Sequence, residues 1–427
     1  MEAAEIYRAY FGKKYSVISG VLQYYKESGK KIALWGAGLR GKAFLEIFDP
    51  GCSVIDFVYD IDSKKYGTVL KFGHRIVDYR ERRADVVVVA NTVLEFEIVH
   101  TLRASGSEPE MINLDNIILG DLDIDEIIVH RKPDLKPVRD VKICALVIGY
   151  HPGSEVVEHI SSYSRGVDYL YFYDNSEKRN KELEDSLSKM ENAEYIFKGE
   201  NLGLCVPINE AFYLAREREM DWLITFDQDS VADAGMISRM REFANSSECN
   251  GSIAIIAPSV NEIDRSMGVK SRYYTYYDRV IQSGAMHRLA AIEKIGPYNE
   301  DLFIDEVDYE YCVRCRMQGY HIVKLDHALL MHNRLDDGVE RKLVNGKMIR
   351  INKYSPMRYY YRYRNALYCY DKYWDVDPIY GLDCLSTIET LNNMVNYDDD
   401  SETKLRAMEK AKRDYENGFM GKCTDFG

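Results

Sequence analysis

No run of eighteen or more apolar residues goes uninterrupted by charge, which argues against a membrane-spanning helix. There is no basic excess. The net charge of −13 argues against wrapping around nucleic acid, because that mode needs a basic footprint to displace counterions. Met1-Glu2-Ala3-Ala4-Glu5 lacks the basic-then-apolar order of a secretory signal, so a cytoplasmic protein is expected. Nine cysteines are scattered through apolar segments such as Ile143-Cys144-Ala145, which is the pattern of reduced core residues and not of a disulfide framework. The one CxxC, Cys312 to Cys315, has no second pair to make a zinc site. Repeats and low-complexity segments are missing too. What is present is a chain of 427 residues, 46% of them hydrophobic, which is enough for two to three domains with sizeable cores.

The first 121 residues alternate strand and helix. Lys31 to Trp35 reads as a strand, Gly36-Ala37-Gly38-Leu39-Arg40-Gly41 as a glycine turn, and Lys42 to Phe48 as a helix. Val54 to Tyr59 is a second strand, ended by Asp60, and Ala84 to Ala90 a third. This order predicts a parallel sheet flanked by helices. Gly36, Gly38 and Gly41, with the acidic Asp60 about twenty positions on, have the spacing of a dinucleotide-binding fingerprint, whose glycines let phosphate approach a helix N-terminus. The same turn serves doubly wound scaffolds that bind nothing, and both readings stand. The segment resembles the small Rossmann-like domains that accompany some sugar-modifying enzymes.

Residues 122–140 lose any sustained apolar period and read as a linker. A second α/β unit is expected over 141–374, followed by a helical extension over 375–427. Within it the apolar run Trp222-Leu223-Ile224-Thr225-Phe226 leads directly into Asp227-Gln228-Asp229-Ser230. Residues i and i+2 of a strand share a side, so Asp227 and Asp229 set two hard oxygen donors at the mouth of a buried strand. Such donors suit Mg²⁺ or Mn²⁺ gripping a diphosphate. The competing reading is an acidic turn capping a helix that starts near Ala234. Three more polar segments, Gly149-Tyr150-His151-Pro152, Tyr171 to Ser176 and Asn201-Leu202-Gly203, lie at or near strand C-terminal ends. That edge is where open parallel sheets bind ligands. Ser283-Gly284, Phe303-Ile304-Asp305-Glu306-Val307-Asp308-Tyr309-Glu310, His332 and Arg358-Tyr359-Tyr360-Tyr361-Arg362-Tyr363-Arg364-Asn365 follow in that order.

From about Val141 to Trp374 this order of motifs resembles the family 2 glycosyltransferases of GT-A fold, most closely their rhamnosyltransferase-like group. The resemblance implies a metal-dependent, inverting hexosyl transfer from a nucleotide-diphospho-sugar to a glycan or lipid-linked acceptor of the bacterial surface. L-Rhamnose from dTDP-rhamnose is the expected donor sugar, with galactofuranose from UDP-galactofuranose the alternative. By the same resemblance Asp174 matches the carboxylate that recognises the donor's base or ribose, while Asn201 and Gly203 match the loop bordering the nucleotide. Asp227 and Asp229 match the metal motif, His332 a histidine that completes it, and Asp308 the catalytic base. The chain departs from the pattern at Tyr150 and its neighbours, where a Thr-Tyr-Asn-Pro is more common.

Local chemistry keeps other roles open. Asp305 to Asp308 could begin a helix, with Asp305 as N-cap and second candidate for the base. His332 after an apolar run could be a buried core histidine. Asn209 could meet the donor or cap a helix. Arg358, Arg362 and Arg364, interleaved with tyrosines, offer cationic forks for a donor or acceptor phosphate, Arg364 above all. The same mixture is compatible with peripheral contact at the inner face of a membrane. An enzyme of another class, an NAD(P)-dependent oxidoreductase built on Gly36 to Asp60, is the remaining alternative.

Overall fold

The computed structural model describes residues 2–90, 95–129, 133–260, 273–332, 339–344 and 347–425, without the side chains of 95–96, 332, 339–344 and 347–350. The chain divides into two compact units, Met1–Pro133 with Arg265–Asp278, and Asp134–Asp264 with Arg279–Gly427.

The first unit opens with α1 (Ala3–Gly12) and α2 (Tyr15–Glu27). Its sheet holds β1 (Ile32–Trp35), β2 (Phe57–Tyr59), β3 (Ile76–Val77), β4 (Val86–Val89) and β5 (Glu110–Asn113), all parallel, in the order β3-β2-β1-β4-β5. Helices α3 (Leu39–Phe48), α4 (Glu95–Ala104), α5 (Leu114–Leu119) and α6 (Ile124–Ile128) link or follow the strands. β4 is four valines, every one buried, as a central parallel strand covered on both faces requires. β2 begins at Phe57 and not at Val54. The reason is Asp49, whose carboxylate accepts the N–H groups of Ser53, Val54 and Ile55 at 2.7, 3.1 and 2.8 Å and holds them in a turn. A short strand, β12 (Tyr274–Tyr277), belongs to this unit, where Tyr276 N–H donates to the Asn116 side chain at 2.9 Å.

In the second unit, eight strands of one sheet run in the order β10-β14-β11-β13-β9-β6-β7-β8. They are β6 (Ile143–Gly149), β7 (Tyr169–Asp174), β8 (Ala193–Phe197), β9 (Trp222–Asp227), β10 (Ser230–Ala232), β11 (Ile253–Val260), β13 (Met286–Arg288) and β14 (His321–His332). β6 is buried at all seven residues and pairs in parallel with β7 on one side and β9 on the other. The strand order therefore reverses at β6, and the crevice beyond its C-terminal end is the expected binding position in such a sheet. Antiparallel β13 is inserted between β9 and β11. Helices α7 (Val156–Ser161), α8 (Lys181–Leu187), α9 (Cys205–Glu217), α10 (Met236–Asn245), α11 (Leu289–Ile295) and α12 (Val307–Met317) flank it, and β15 (Val339–Val344) with β16 (Lys347–Asn352) makes a hairpin.

Helix α13 (Pro356–Tyr373) starts at Ser355, whose hydroxyl accepts the Arg358 N–H, with Pro356 at its first position. α14 (Pro378–Met394) and α15 (Ser401–Glu416) follow, and the segment after Trp374 is part of the second unit, with Tyr359, Leu391 and Met408 in one apolar cluster. All nine cysteines are free thiols, Cys312 and Cys315 among the buried ones. No helix among the described residues is long and apolar enough to cross a membrane.

Candidate active site

β9 ends at Asp227, in register with Ile148 of β6, so the first acid of the motif stands at the C-terminal edge of two central strands. The chain turns through Gln228 and Asp229 and enters β10, whose Ser230 lies opposite His332 of β14. The turn caps no helix, since α10 begins only at Met236 with Gly235 at its N-cap. Asp227 and Asp229 are half-buried. Neighbours hold the turn on both sides. Asp227 N–H donates to Ser283 Oγ at 3.2 Å, and the Ser230 and Ser283 hydroxyls lie 2.7 Å apart. Tyr150 N–H donates to Gln228 Oε1 at 2.8 Å and Gln228 Nε2 returns a bond to the Tyr150 carbonyl at 3.3 Å. The backbone of His332 thus lies across from the motif; its side chain lies outside the described residues.

Gln282 joins this edge to the proposed base. Its Nε2 donates to Asp227 Oδ1, and its backbone N–H donates to Asp308 Oδ2 at 3.1 Å. The Gln282 carbonyl is fixed in turn, accepting from Thr225 Oγ1 at 2.5 Å and from Ala285 N–H at 3.0 Å. Asp308 sits in the first turn of α12, with its own Oδ1 accepting Tyr309 N–H at 3.0 Å. Burial pushes its carboxyl up to about 6, helped by the negative charge of Asp305 and resisted by the N–H groups of Tyr309 and Gln282. Gln282 is a residue that sequence reasoning passed over. Ser283-Gly284 beside it carried the only local signal, a small-residue turn.

The loop before α12 is held in an uncommon conformation. Phe303, Asp305 and Glu306 have φ of 63°, 65° and 61°, a cluster of left-handed non-glycine residues of the kind that persists only where surroundings enforce it. α13 supplies the enforcement. Asn365 Nδ2 donates to the carbonyls of Leu302, Ile304 and Asp305 at 2.9, 2.7 and 2.9 Å. Arg364 Nη2 reaches the carbonyls of Asp301 and Leu302 at 3.1 and 3.3 Å, and Nη1 that of Gly421 at 2.8 Å. Arg364 is 1% exposed and every nitrogen of its guanidinium faces protein. Its expected donor contact is therefore corrected: it is a clamp on the loop. Asp305 caps no helix either. Its buried carboxylate pairs with Arg358 at 2.9 Å and Arg362 at 3.4 Å, so the two arginines hold an acid of the protein.

Asn209 caps no helix. It lies inside α9, where Oδ1 accepts Tyr298 N–H at 2.7 Å and Nδ2 donates to the Tyr298 carbonyl at 3.0 Å and to Glu300 at 2.9 Å. Asp174, at the end of β7, is fully buried. Its carboxylate accepts from Ser176 N–H at 3.1 Å, from Asn180 N–H at 3.4 Å and from the Tyr195 hydroxyl, so it shapes the loop after β7 and presents no exposed oxygen. Asn175 extends that loop to the next one, donating to Asn201 Oδ1 at 3.1 Å and to the Gly203 carbonyl at 2.8 Å. Gly203 has φ of 74°, and a Cβ there would come within 2.5 Å of the Phe303 carbonyl oxygen. Asn201, Gly203 and the strained loop are accordingly neighbours. Tyr150 is 45% exposed at the same end of the sheet, its hydroxyl 3.2 Å from Glu177.

Two carboxylates at one turn are the complement that a phosphate-bridging Mg²⁺ or Mn²⁺ takes from protein, the remaining positions being filled by phosphate and water. Asp227 and Asp229 fit that donor set. A self-sufficient cage of three or more His, Cys, Asp or Glu is not found among the described residues.

In the first unit the fingerprint glycines do form the expected turn, with Gly36 at φ 104° and Gly38 at the N-cap of α3. A Cβ on Gly41 would come within 2.0 Å of the Gly36 carbonyl oxygen, so close backbone contact within the turn is enough to require glycine there. Asp60 is turned inward. It accepts from Ala37 N–H at 2.9 Å and Asp62 N–H at 2.9 Å and pairs with Lys65 at 2.9 Å. Burial alone would raise its pKa, but those bonds outweigh it and hold the carboxyl below the usual range. The carboxylate that would meet a ribose is thereby engaged with the turn itself.

No protein-family model matches the sequence. Among curated proteins, the chain is similar to the dTDP-rhamnosyl transferase RfbF of Shigella flexneri, at 27% identity over 242 residues covering 52% of this chain and 78% of that one. Among solved structures, TarS 1-349 of S. aureus in complex with UDP-GlcNAc shares 11% identity at a TM-score of 0.37, covering 65% of this chain and 92% of that one. GalNAc-T7 with UDP, GalNAc and Mn²⁺ shares 9% at a TM-score of 0.38, covering 46% of this chain, which spans 44% of that one.

Proposed function

We propose that this chain, a glycosyltransferase of GT-A fold and family 2-like kind, is a metal-dependent inverting enzyme that moves L-rhamnose from dTDP-rhamnose onto a bacterial surface polysaccharide or a lipid-linked glycan. The likeness to a dTDP-rhamnosyl transferase favours rhamnose over galactofuranose. A cytoplasmic site of action, at the inner face of the membrane where a lipid-linked acceptor would be met, belongs to the same proposal. The observation that carries it is the bridge through Gln282, which brings Asp227 and Asp308, 81 positions apart by their numbers, within reach of one residue.

In the proposed reaction the acceptor oxygen bonds to the anomeric carbon while the bond from that carbon to the diphosphate oxygen breaks on the opposite face. The hydroxyl proton passes to Asp308. A carboxyl brought up to about 6 is ionised at neutral pH yet a better proton acceptor than an ordinary aspartate. Asp305, paired with Arg358 and Arg362, positions the loop that carries Asp308. Asp227 and Asp229, with His332 as the candidate third ligand, would hold Mg²⁺ or Mn²⁺, which when bound supplies Lewis-acid neutralisation of the leaving diphosphate worth several kcal/mol. Tyr150, Asn201 and Gly203 border the nucleotide in this reading.

A donor screen tests the proposal by counting released nucleoside diphosphate with Mn²⁺ present. Turnover of dTDP-rhamnose is expected, with a loss of about 10²-fold or more in Asp229→Ala at unchanged thermal midpoint. Consumption of neither dTDP-rhamnose nor UDP-galactofuranose would overturn it.

A further inference from the structure

Gln282 is 4% exposed, and three of its four hydrogen-bonding groups are committed. Its carbonyl is taken by Thr225 and Ala285, its N–H by Asp308, and its Nε2 by Asp227. The fourth, Oε1, is buried and has no hydrogen-bond partner among the described residues. Buried amide oxygens are rarely left in that state, and one that is calls for an explanation. The amide cannot escape by turning over, because Oε1 would then face the Asp227 carboxylate and two acceptors would oppose each other.

The position limits what can satisfy it. One end of the side chain rests on the first acid of the metal motif, where the diphosphate is bound in the proposed reaction, and the residue's own backbone rests on the proposed base. The group covalently attached to the diphosphate, and lying between it and the base, is the sugar in transit. A sugar offers what the oxygen lacks, a hydroxyl donor. We infer that Gln282 is a specificity-determining contact whose Oε1 accepts a hydrogen bond from a hydroxyl of the transferred sugar. This rests on the glycosyltransferase reading above. It adds the residue that links sugar recognition to the two acids.

Titration calorimetry with Mn²⁺ separates the sugar contact from the rest. Gln282→Met removes both polar atoms of the amide at similar length, and keeps the backbone N–H that holds Asp308. Loss of the Asp227 contact would weaken dTDP and dTDP-rhamnose alike, so the informative quantity is the ratio of their dissociation constants. Gln282→Met is expected to weaken dTDP-rhamnose about tenfold more than dTDP, which corresponds to about 1.4 kcal/mol, near the scale of one hydrogen bond. The apparent pKa governing donor hydrolysis should not move, since Asp308 keeps both backbone donors. A ratio equal to that of the unsubstituted protein overturns the inference alone. Absence of binding by the unsubstituted protein to dTDP-rhamnose and to UDP-galactofuranose overturns the functional reading and the inference with it. A thermal melt of the variant distinguishes a local effect from a general loss of folding.

Discussion

Each unit of this protein sets a carboxylate at the C-terminal end of a parallel strand, and the two ends have different fates. At the end of β2, Asp60 is closed in by Ala37, Asp62 and Lys65, and Arg40 beside the glycine turn is drawn to Asp115 and the ring of Tyr10. At the end of β9, Asp227 meets a glutamine that reaches Asp308 and still has an acceptor to offer. The same strand-end position thus serves cohesion in one unit and, in the proposed reaction, chemistry in the other. What separates them is that the oxygens of Asp60 are taken up by its own turn, whereas the amide that meets Asp227 keeps a buried oxygen without a partner among the described residues.

The sharpest way to break this contrast is Asp308→Asn, which should lower glycosyl transfer by about 10²- to 10⁴-fold. Unsubstituted protein should gain activity as pH rises through about 6, where Asp308 ionises, and the variant should lose that limb in a pH-rate profile. Stability runs the other way. Because the folded carboxyl is raised from 3.8 to about 6, folding opposes its charge, and stability falls as pH rises across that interval. Relative to Asp308→Asn, which carries no titrating carboxyl at this position, the unsubstituted protein should therefore lose about 3 kcal/mol across that interval in denaturant titrations. Next in size, Arg364→Ala leaves the carbonyls of Asp301, Leu302 and Gly421 without its donors, at a cost of about 3 kcal/mol read from the urea midpoint. Calorimetric affinity for dTDP should hold within about threefold in the folded variant, each tenfold being about 1.4 kcal/mol. A selective loss of affinity would restore the phosphate role expected from sequence. Smallest is Asp60→Asn. It should cost about 1 kcal/mol at neutral pH, as expected for losing a charged partner of Lys65, and that difference should fade as pH falls through the lowered pKa of Asp60. Transfer measured by released dTDP should stay within about twofold, since nothing ties Asp60 to that chemistry.

The strand ends were legible because apolar runs and polar stops are local in sequence. Trp222 to Phe226 followed by Asp227 gives β9 and its edge directly, and Gly36 to Gly41 gives the turn before α3. Boundaries failed where a side chain competes for backbone, as Asp49 does ahead of β2. The arginine-tyrosine segment was misjudged for a different reason. Charge and aromaticity are visible in a sequence, but whether a guanidinium meets a ligand or a row of carbonyls depends on a loop some sixty residues away. Gln282 was passed over because a lone glutamine has no pattern; only the fold places it against Asp227 and Asp308.

Gly421 N–H donates to the Asp301 carbonyl at 2.6 Å, Arg364 grips the Gly421 carbonyl, and Cys423 N–H donates to the Tyr361 hydroxyl at 2.7 Å. Residues that look like a dispensable tail are thus the outer brace of the bend on which Asp308 stands. Cropping the chain just past Asn417, or pulling on it with a bulky fusion, should act as an active-centre lesion delivered from a distance, dulling turnover at temperatures where the sheet is still intact.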